Sequence, residues 1–340
     1  MSNADQPVES NVIALPDARE SKFRRLYDEA KAIELEDART IGEIGYINKV
    51  LVQATLPYRE PKPKRKGDLL PAVWGRTAGD WSLIIQPGGY LKEEKRVLPN
   101  GKITIERTPV SLGYPFGSKP RLILAWLGRE IKLQKSPEIK LGRSLAAFLE
   151  ALGIESATGG AFGSITHTRE QMRRLFSSRI ALVQSGETKS ATWEMNAMQV
   201  ADKQNLWWDP KTPEQGGLFE STVVLSQKFY DEFKTGVPVD MRALRALKSS
   251  PFELDLYCWL THRFFSLQRR TVVPWEALHM QFGTETVNLR KFKWQIQKAL
   301  RSVLVVYPEA KAEPTPSGLL LLPSPTSVRR LANLRAEHAN

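Results

Sequence analysis

Arginine, lysine, glutamine and serine recur at helical spacing in two segments of this chain. These residue types hydrogen-bond base edges and hold phosphates. The first segment is Ile165-Thr-His-Thr-Arg-Glu-Gln-Met-Arg-Arg-Leu-Phe-Ser-Ser-Arg-Ile180, the second Leu289-Arg-Lys-Phe-Lys-Trp-Gln-Ile-Gln-Lys-Ala-Leu-Arg-Ser-Val-Leu304. They superpose at an offset of 124 residues, Ile165 on Leu289. Ile165, Met172, Leu175, Phe176 and Ile180 align with Leu289, Ile296, Ala299, Leu300 and Leu304. At about 100° per residue these positions form one apolar face. The polar face is assigned to DNA. It comprises Thr166, His167, Gln171, Arg173, Arg174, Ser177 and Ser178 in the first helix. In the second it comprises Arg290, Lys291, Trp294, Gln295, Lys298, Arg301 and Ser302. Arg suits guanine O6 and N7, and Gln suits adenine N6 and N7, while Ser and Lys more often hold phosphates. One such helix alone reads rather as a solvated face. Two in register point to a duplicated DNA-binding module, each helix entering a major groove.

Catalytic chemistry has little to work with. The histidines at 167, 262, 279 and 338 are scattered, without the spacing of a metal or nuclease site. Neither His-x-His nor His-x-x-Arg occurs, the patterns of relaxase-type nicking and tyrosine recombination. Gly113-Tyr-Pro-Phe-Gly-Ser-Lys119 misses the phosphate-loop spacing by one residue and is followed by Pro120. As a helix start, its Ser118 and Lys119 could still hold a DNA phosphate. Glu253 and Asp255 sit two apart, on different helix faces, so they are no catalytic pair. The expectation is a protein that is not an enzyme and uses no cofactor and no metal.

Composition agrees. The chain has 340 residues, 41% hydrophobic and 25% charged, with a formal charge of +12. That length predicts more than one domain. The cationic excess suggests an anionic partner, nucleic acid before membrane. Cys258 is the only cysteine, within Leu256-Tyr-Cys-Trp-Leu260, so it is expected in the core, and no disulfide can close within the chain. A reducing cytoplasm fits, and no apolar run reaches the length of a membrane span.

The elements that must position the two helices follow from period and punctuation. Residues 1–16 are polar, and a helix is expected from Asp17 or Ser21 to about Arg39. Glu60-Pro-Lys-Pro-Lys-Arg-Lys-Gly67 reads as a basic linker. Strands are expected at 81–86, 95–98 and 102–106, with Asn100-Gly101 as a hairpin turn. Then come a helix over 121–132 capped by Ser118, a strand at 138–141, a helix over 144–151 stopped by Gly153, a glycine-rich loop at 158–163 and the first basic helix. Strands at 180–183, 190–193 and 218–225 follow. The same order returns as a helix at 251–265, a strand at 271–273, a helix at 274–282, the second basic helix, and a hairpin of 305–307 with 319–322. Helix, strand, helix, basic helix and hairpin is the order of a winged helix, here occurring twice.

The expected fold is therefore α+β, two tandem winged-helix domains with a small N-terminal β-containing region. The expected division is a flexible region 1–68, a β-rich segment with the first winged helix at 69–234, the second at 235–328, and a tail at 329–340.

Several stretches resemble plasmid-encoded RepA replication initiators. They are Gly113-Tyr-Pro-Phe-Gly-Ser-Lys-Pro-Arg-Leu-Ile-Leu-Ala-Trp126, Leu141-Gly-Arg-Ser-Leu145, Arg169 to Arg179, Leu206-Trp-Trp-Asp-Pro210 and Val239 to Pro251. Val305-Val-Tyr-Pro-Glu309 and Leu319 to Pro325 continue the likeness, which spans roughly residues 40 to 325. It implies binding of repeated double-stranded origin DNA (iterons), opening of the origin, and recruitment of host DnaA and the replicative helicase. It also implies a homodimer that represses its own gene. The alternative is a winged-helix repressor without initiator activity, with the same binding physics.

Overall fold

The computed structural model describes residues 18–63, 71–78, 81–97, 99, 102–154, 163–185, 193–208, 220–283 and 288–329. The N-terminal elements are α1 (Ala18–Leu35), β1 (Ile44–Ile47) and α2 (Lys49–Gln53). Four strands follow: β2 (Trp74–Ala78), β3 (Trp81–Gln86), β4 (Gly89–Val97) and β5 (Ile103–Ser111). β4 and β5 form the expected hairpin, with Val97 opposite Ile103, although Asn100 and Gly101 lie outside the described residues.

The next block is α3 (Ser118–Gln134), β6 (Glu138–Gly142), α4 (Leu145–Ala151), α5 (Ser164–Phe176), β7 (Arg179–Ser185), β8 (Trp193–Gln199), β9 (Ala201–Asn205) and β10 (Ser221–Leu225). A connection of α6 (Gln227–Phe233), β11 (Val237–Asp240) and α7 (Met241–Ala246) leads to the last block. That block is α8 (Pro251–Ser266), β12 (Thr271–Pro274), α9 (Trp275–Phe282), α10 (Leu289–Val306), β13 (Ala312–Pro314) and β14 (Gly318–Leu321).

The two blocks repeat in topology. Their sheets are ordered β6-β10-β9 and β12-β14-β13, antiparallel throughout. In each, the strand after the first helix pairs with the last strand, which also pairs with the strand before it. The first block differs by an insertion. β7 and β8 leave it to join β2 and β3 in a sheet ordered β2-β3-β7-β8. The strand expected at 180–183 therefore belongs to this second sheet, and β9 closes the first.

Two apolar helices form the centre. α3 buries Leu122, Ile123, Leu124, Ala125, Trp126 and Leu127 consecutively, and α8 buries Leu254 through Thr261. A helix apolar all round needs neighbours on every side, and α3 packs on β1, α5, α6, α7 and α8. At Gly128 a Cβ would stand 2.1 Å from the Tyr46 carbonyl oxygen, so only glycine lets β1 cross α3 this closely. α3 begins at Gly117 (φ 78°), whose position provides no side-chain cap; Ser118 is already helical, correcting its expected role as N-cap. α8 is capped by Ser250 and α10 by Asn288.

The apolar core runs without interruption from α1 through both blocks. β1 pairs with β11, and Arg121 of α3 binds both carboxylate oxygens of Asp255 of α8 at 2.8 Å. The expected boundary near residue 235 thus falls within packed structure.

Candidate nucleic-acid interface

α10 has a dry back and a cationic front. Phe292, Ile296, Ala299, Leu300, Val303 and Val306 are buried. Arg290, Lys291, Trp294, Lys298 and Arg301 are exposed. None of these four cations has a carboxylate partner among the described residues. Trp294 is 59% exposed, and the Lys298 ammonium lies 5.3 Å from its ring centroid. An indole more than half exposed on a polar helix face is a surface for contact rather than for packing. Gln295 is half-buried and Ser302 is 1% exposed. The phase-based front is corrected there. α10 is flanked by α1, α8 and α9, so less than half of its circumference reaches solvent.

α5 departs further from expectation. Thr166 and Arg173 are exposed, and His167, Arg169 and Ser177 are half-buried. Gln171, Arg174 and Ser178, assigned to DNA from helix phase, are buried. The cause is a strap. Residues 113–117 lie across the face opposite the core, and the Phe116 amide donates to Gln171 Oε1 at 2.9 Å. Arg174 bonds Glu60 at 2.6 Å, the Tyr114 carbonyl at 3.3 Å, and Glu170. Its guanidinium also stacks 5.3 Å from the Phe116 ring centroid. Ser178 donates to the Arg174 carbonyl. Arg174 is therefore a structural arginine that ties the strap and Glu60 to the helix. What α5 offers a ligand is Thr166, Arg169 and Arg173, continued by exposed Arg179 at the start of β7.

Ser118 and Lys119 are half-buried. Lys119 donates to the Ser164 carbonyl at 3.0 Å and so ties the start of α3 to the start of α5. Burial lowers its pKa to about 8. Burial also lowers the pKa of His167, with nearby Lys119 adding to the effect, so His167 favours its neutral form at physiological pH.

The acidic residues of α8 hold the fold. Glu253 binds Lys22 of α1 at 2.7 Å, and Asp255 binds Arg121. Burial, with Asp255 adding to it, pushes the Cys258 thiol well above its ordinary pKa. Among the described residues no cluster of His, Cys, Asp and Glu could hold a metal, and no helix is long and apolar enough to cross a membrane.

Helix phase missed the neighbours of α10. Arg59, Trp74 and Arg76 come from segments over 200 residues away in sequence and line a cleft along its flank. No local periodicity carries that proximity. The basic linker at 60–67 was the nearest signal.

Residues 114–277, from the strap through the start of α9, match the family described as plasmid encoded RepA protein. Through this segment, just under half of the chain, the protein is similar to the plasmid-encoded RepA family. The RepA-type segment contains α5, the strap and the Arg121–Asp255 pair, and ends before α10. The family is one of replication initiators. Among solved structures, the chain is similar to domains 2 and 3 of RctB, in a crystal structure of selenomethionine derivatives. There the identity is 11% and the TM-score 0.48, covering 80% of this chain and 96% of that one. A second structure of RctB domains 2–3 gives 11% identity and a TM-score of 0.44, covering 80% and 94%. No curated protein matches the chain by sequence.

Proposed function

We propose that this chain is a plasmid replication initiator that binds repeated double-stranded origin DNA through two winged-helix units, α3 to β10 and α8 to β14. The observation that carries the reading is the repeated topology, in which the third helix of each copy presents exposed or half-buried cations that have no acidic partner among the described residues. In this reading α5 contributes Thr166, Arg169 and Arg173. α10 contributes Arg290, Lys291, Trp294, Lys298 and Arg301. Gln295 and Ser302, like buried Gln171, Arg174 and Ser178, support these faces rather than contact DNA. Lys119 remains near enough to the start of α5 to meet a phosphate. Opening of the origin, recruitment of DnaA and the replicative helicase, and a repressing homodimer complete the proposed activity, in a cytoplasmic setting.

The test is binding to the DNA flanking the protein's own gene. Arg173→Ala and Lys298→Ala should each weaken specific binding by about 1–3 kcal/mol if the side chain reads a base, with unchanged circular dichroism. Full affinity in both variants and in the double variant would remove the proposal. Permanganate reactivity of the bound site then separates an initiator, which exposes unpaired thymines, from a repressor, which does not.

A further inference from the structure

Along the flank of α10 lies a cleft of about 1170 Å³, walled by α10, β2, residues 57–59 and the start of α1. Its lining is aromatic and cationic together, with Trp294, Lys291 and Lys298 from α10 facing Trp74 and Arg76 from β2, and Arg59 beside them. Both indoles carry a cation. Lys298 lies 5.3 Å from the Trp294 ring centroid, and Arg76 lies 5.3 Å from that of Trp74. The one carboxylate in the lining, Glu253, is already bound through both oxygens by Lys22, at 2.7 and 3.0 Å. Arg59, Arg76, Lys291 and Lys298 have no carboxylate partner among the described residues.

Cations gathered in a concavity whose one carboxylate is already neutralised by Lys22 attract an anion, since the walls focus their field. Indoles beside them add a requirement for a flat, polarisable partner. An acidic peptide meets the first requirement and not the second. Duplex DNA meets the first, but its base faces are hidden in its own stack. An unpaired strand supplies both, because aromatic side chains stack on exposed bases while cations follow the backbone.

We propose that this cleft binds single-stranded DNA, with bases stacking on Trp294 and Trp74 and phosphates passing Arg59, Arg76, Lys291 and Lys298. The proposal builds on the assignment of duplex binding to the front of α10. A strand released from the duplex would be captured beside the helix that reads the duplex, which opposes reannealing. Arg59 lies off the duplex-reading helices, and this lets the two activities be separated.

The experiment uses the full chain and fluorescence anisotropy with two probes, a twenty-nucleotide oligo(dT) and a duplex from the DNA flanking the gene. Trp294→Ala should weaken oligo(dT) binding about tenfold, the loss of one stacked base. Arg59→Ala should weaken oligo(dT) binding and reduce its salt slope by about 0.7, while duplex affinity stays within about twofold. Circular dichroism confirms that both variants are folded. The proposal is overturned if oligo(dT) fails to bind where the duplex binds, or if neither substitution changes its affinity. It is equally overturned if polyglutamate displaces oligo(dT) with no dependence on Trp294, which would mark the cleft as a dock for an acidic protein. Oligo(dT) binding that responds to both substitutions in the absence of duplex binding would leave this inference standing and remove the duplex reading.

Discussion

Adjacent arginines in α5 have opposite roles. Arg173 is exposed and has no acidic partner among the described residues, whereas Arg174 is buried against Glu60, Glu170 and the Tyr114 carbonyl. Removing the cation leaves the buried Tyr114 carbonyl without its partner, while the half-exposed Glu60 and Glu170 turn to water, and a buried group left unpaired costs about 1–3 kcal/mol. Arg174→Ala should therefore lower the urea midpoint and loosen the strap, while Arg173→Ala changes DNA affinity alone. Equal stability of the two variants would show that the strap does not depend on Arg174. Arg121 is a stronger case. It bridges the two blocks through Asp255 and also donates to the Leu56, Pro57 and Gly117 carbonyls. Arg121→Ala leaves a buried carboxylate unpaired, and the expected loss is about 3–5 kcal/mol. Because the pair ties α3 to α8, both blocks should melt together at the lower temperature. A variant in which only one block loses protection against hydrogen exchange would refute that coupling.

Among the elements, α1 has the least obvious task and a measurable one. It packs on α10 and α7, with Leu26 fully buried and Lys22 closing on Glu253. Leu26→Ala should cost about 2–5 kcal/mol through lost burial and a residual cavity. Hydrogen exchange should rise first in the C-terminal half of α10, where Arg301 and Leu304 adjoin Phe23 and Tyr27. Loss of protection elsewhere, with α10 unchanged, would mean that α1 does not brace it. The sequence carried the longer helices and the order of both repeated blocks well, because those depend on local period and on stops such as Gly153. It missed the short helices α2, α6 and α7, and it placed a strand at 305–307, where α10 runs on to Val306 and the hairpin strand is β13. It carried the strand partners poorly. β7 follows α5 directly, yet it pairs with β3, about a hundred residues earlier. The same limit explains the site. On α10, packed at its back and flanks, phase identified Arg290, Lys291, Trp294, Lys298 and Arg301 correctly as exposed. On α5 the polar face was itself a packing face, because a strap from residues 113–117 crosses it, and a periodic pattern does not distinguish water from a hydrogen-bonded strap.

At the scale of the whole molecule, the proposed function gives one chain two similar units in place of the two chains of a symmetric dimer. Their third helices differ in what they expose: α5 offers Arg169, Arg173 and Thr166, and α10 offers a longer row of cations with an indole. Unequal units should read unequal half-sites, so a site for one chain should be an asymmetric unit suited to direct repetition. Groove centres on one face of a duplex recur about every 10 base pairs. One chain should then protect two groove segments at about that spacing, with the stronger protection under α10. The charge implies the accompanying salt response. If about six phosphates are engaged, affinity should fall on the order of 10³-fold between about 50 and 200 mM salt. Hydroxyl-radical footprinting on a single site, with sedimentation to fix one chain per site, measures both segments. Arg173→Ala should weaken the segment under α5 and leave the other, and Lys298→Ala should do the reverse. Protection of a single groove segment by one chain, or equal loss of both segments in each variant, would eliminate the two-headed arrangement and leave α10 as the duplex reader.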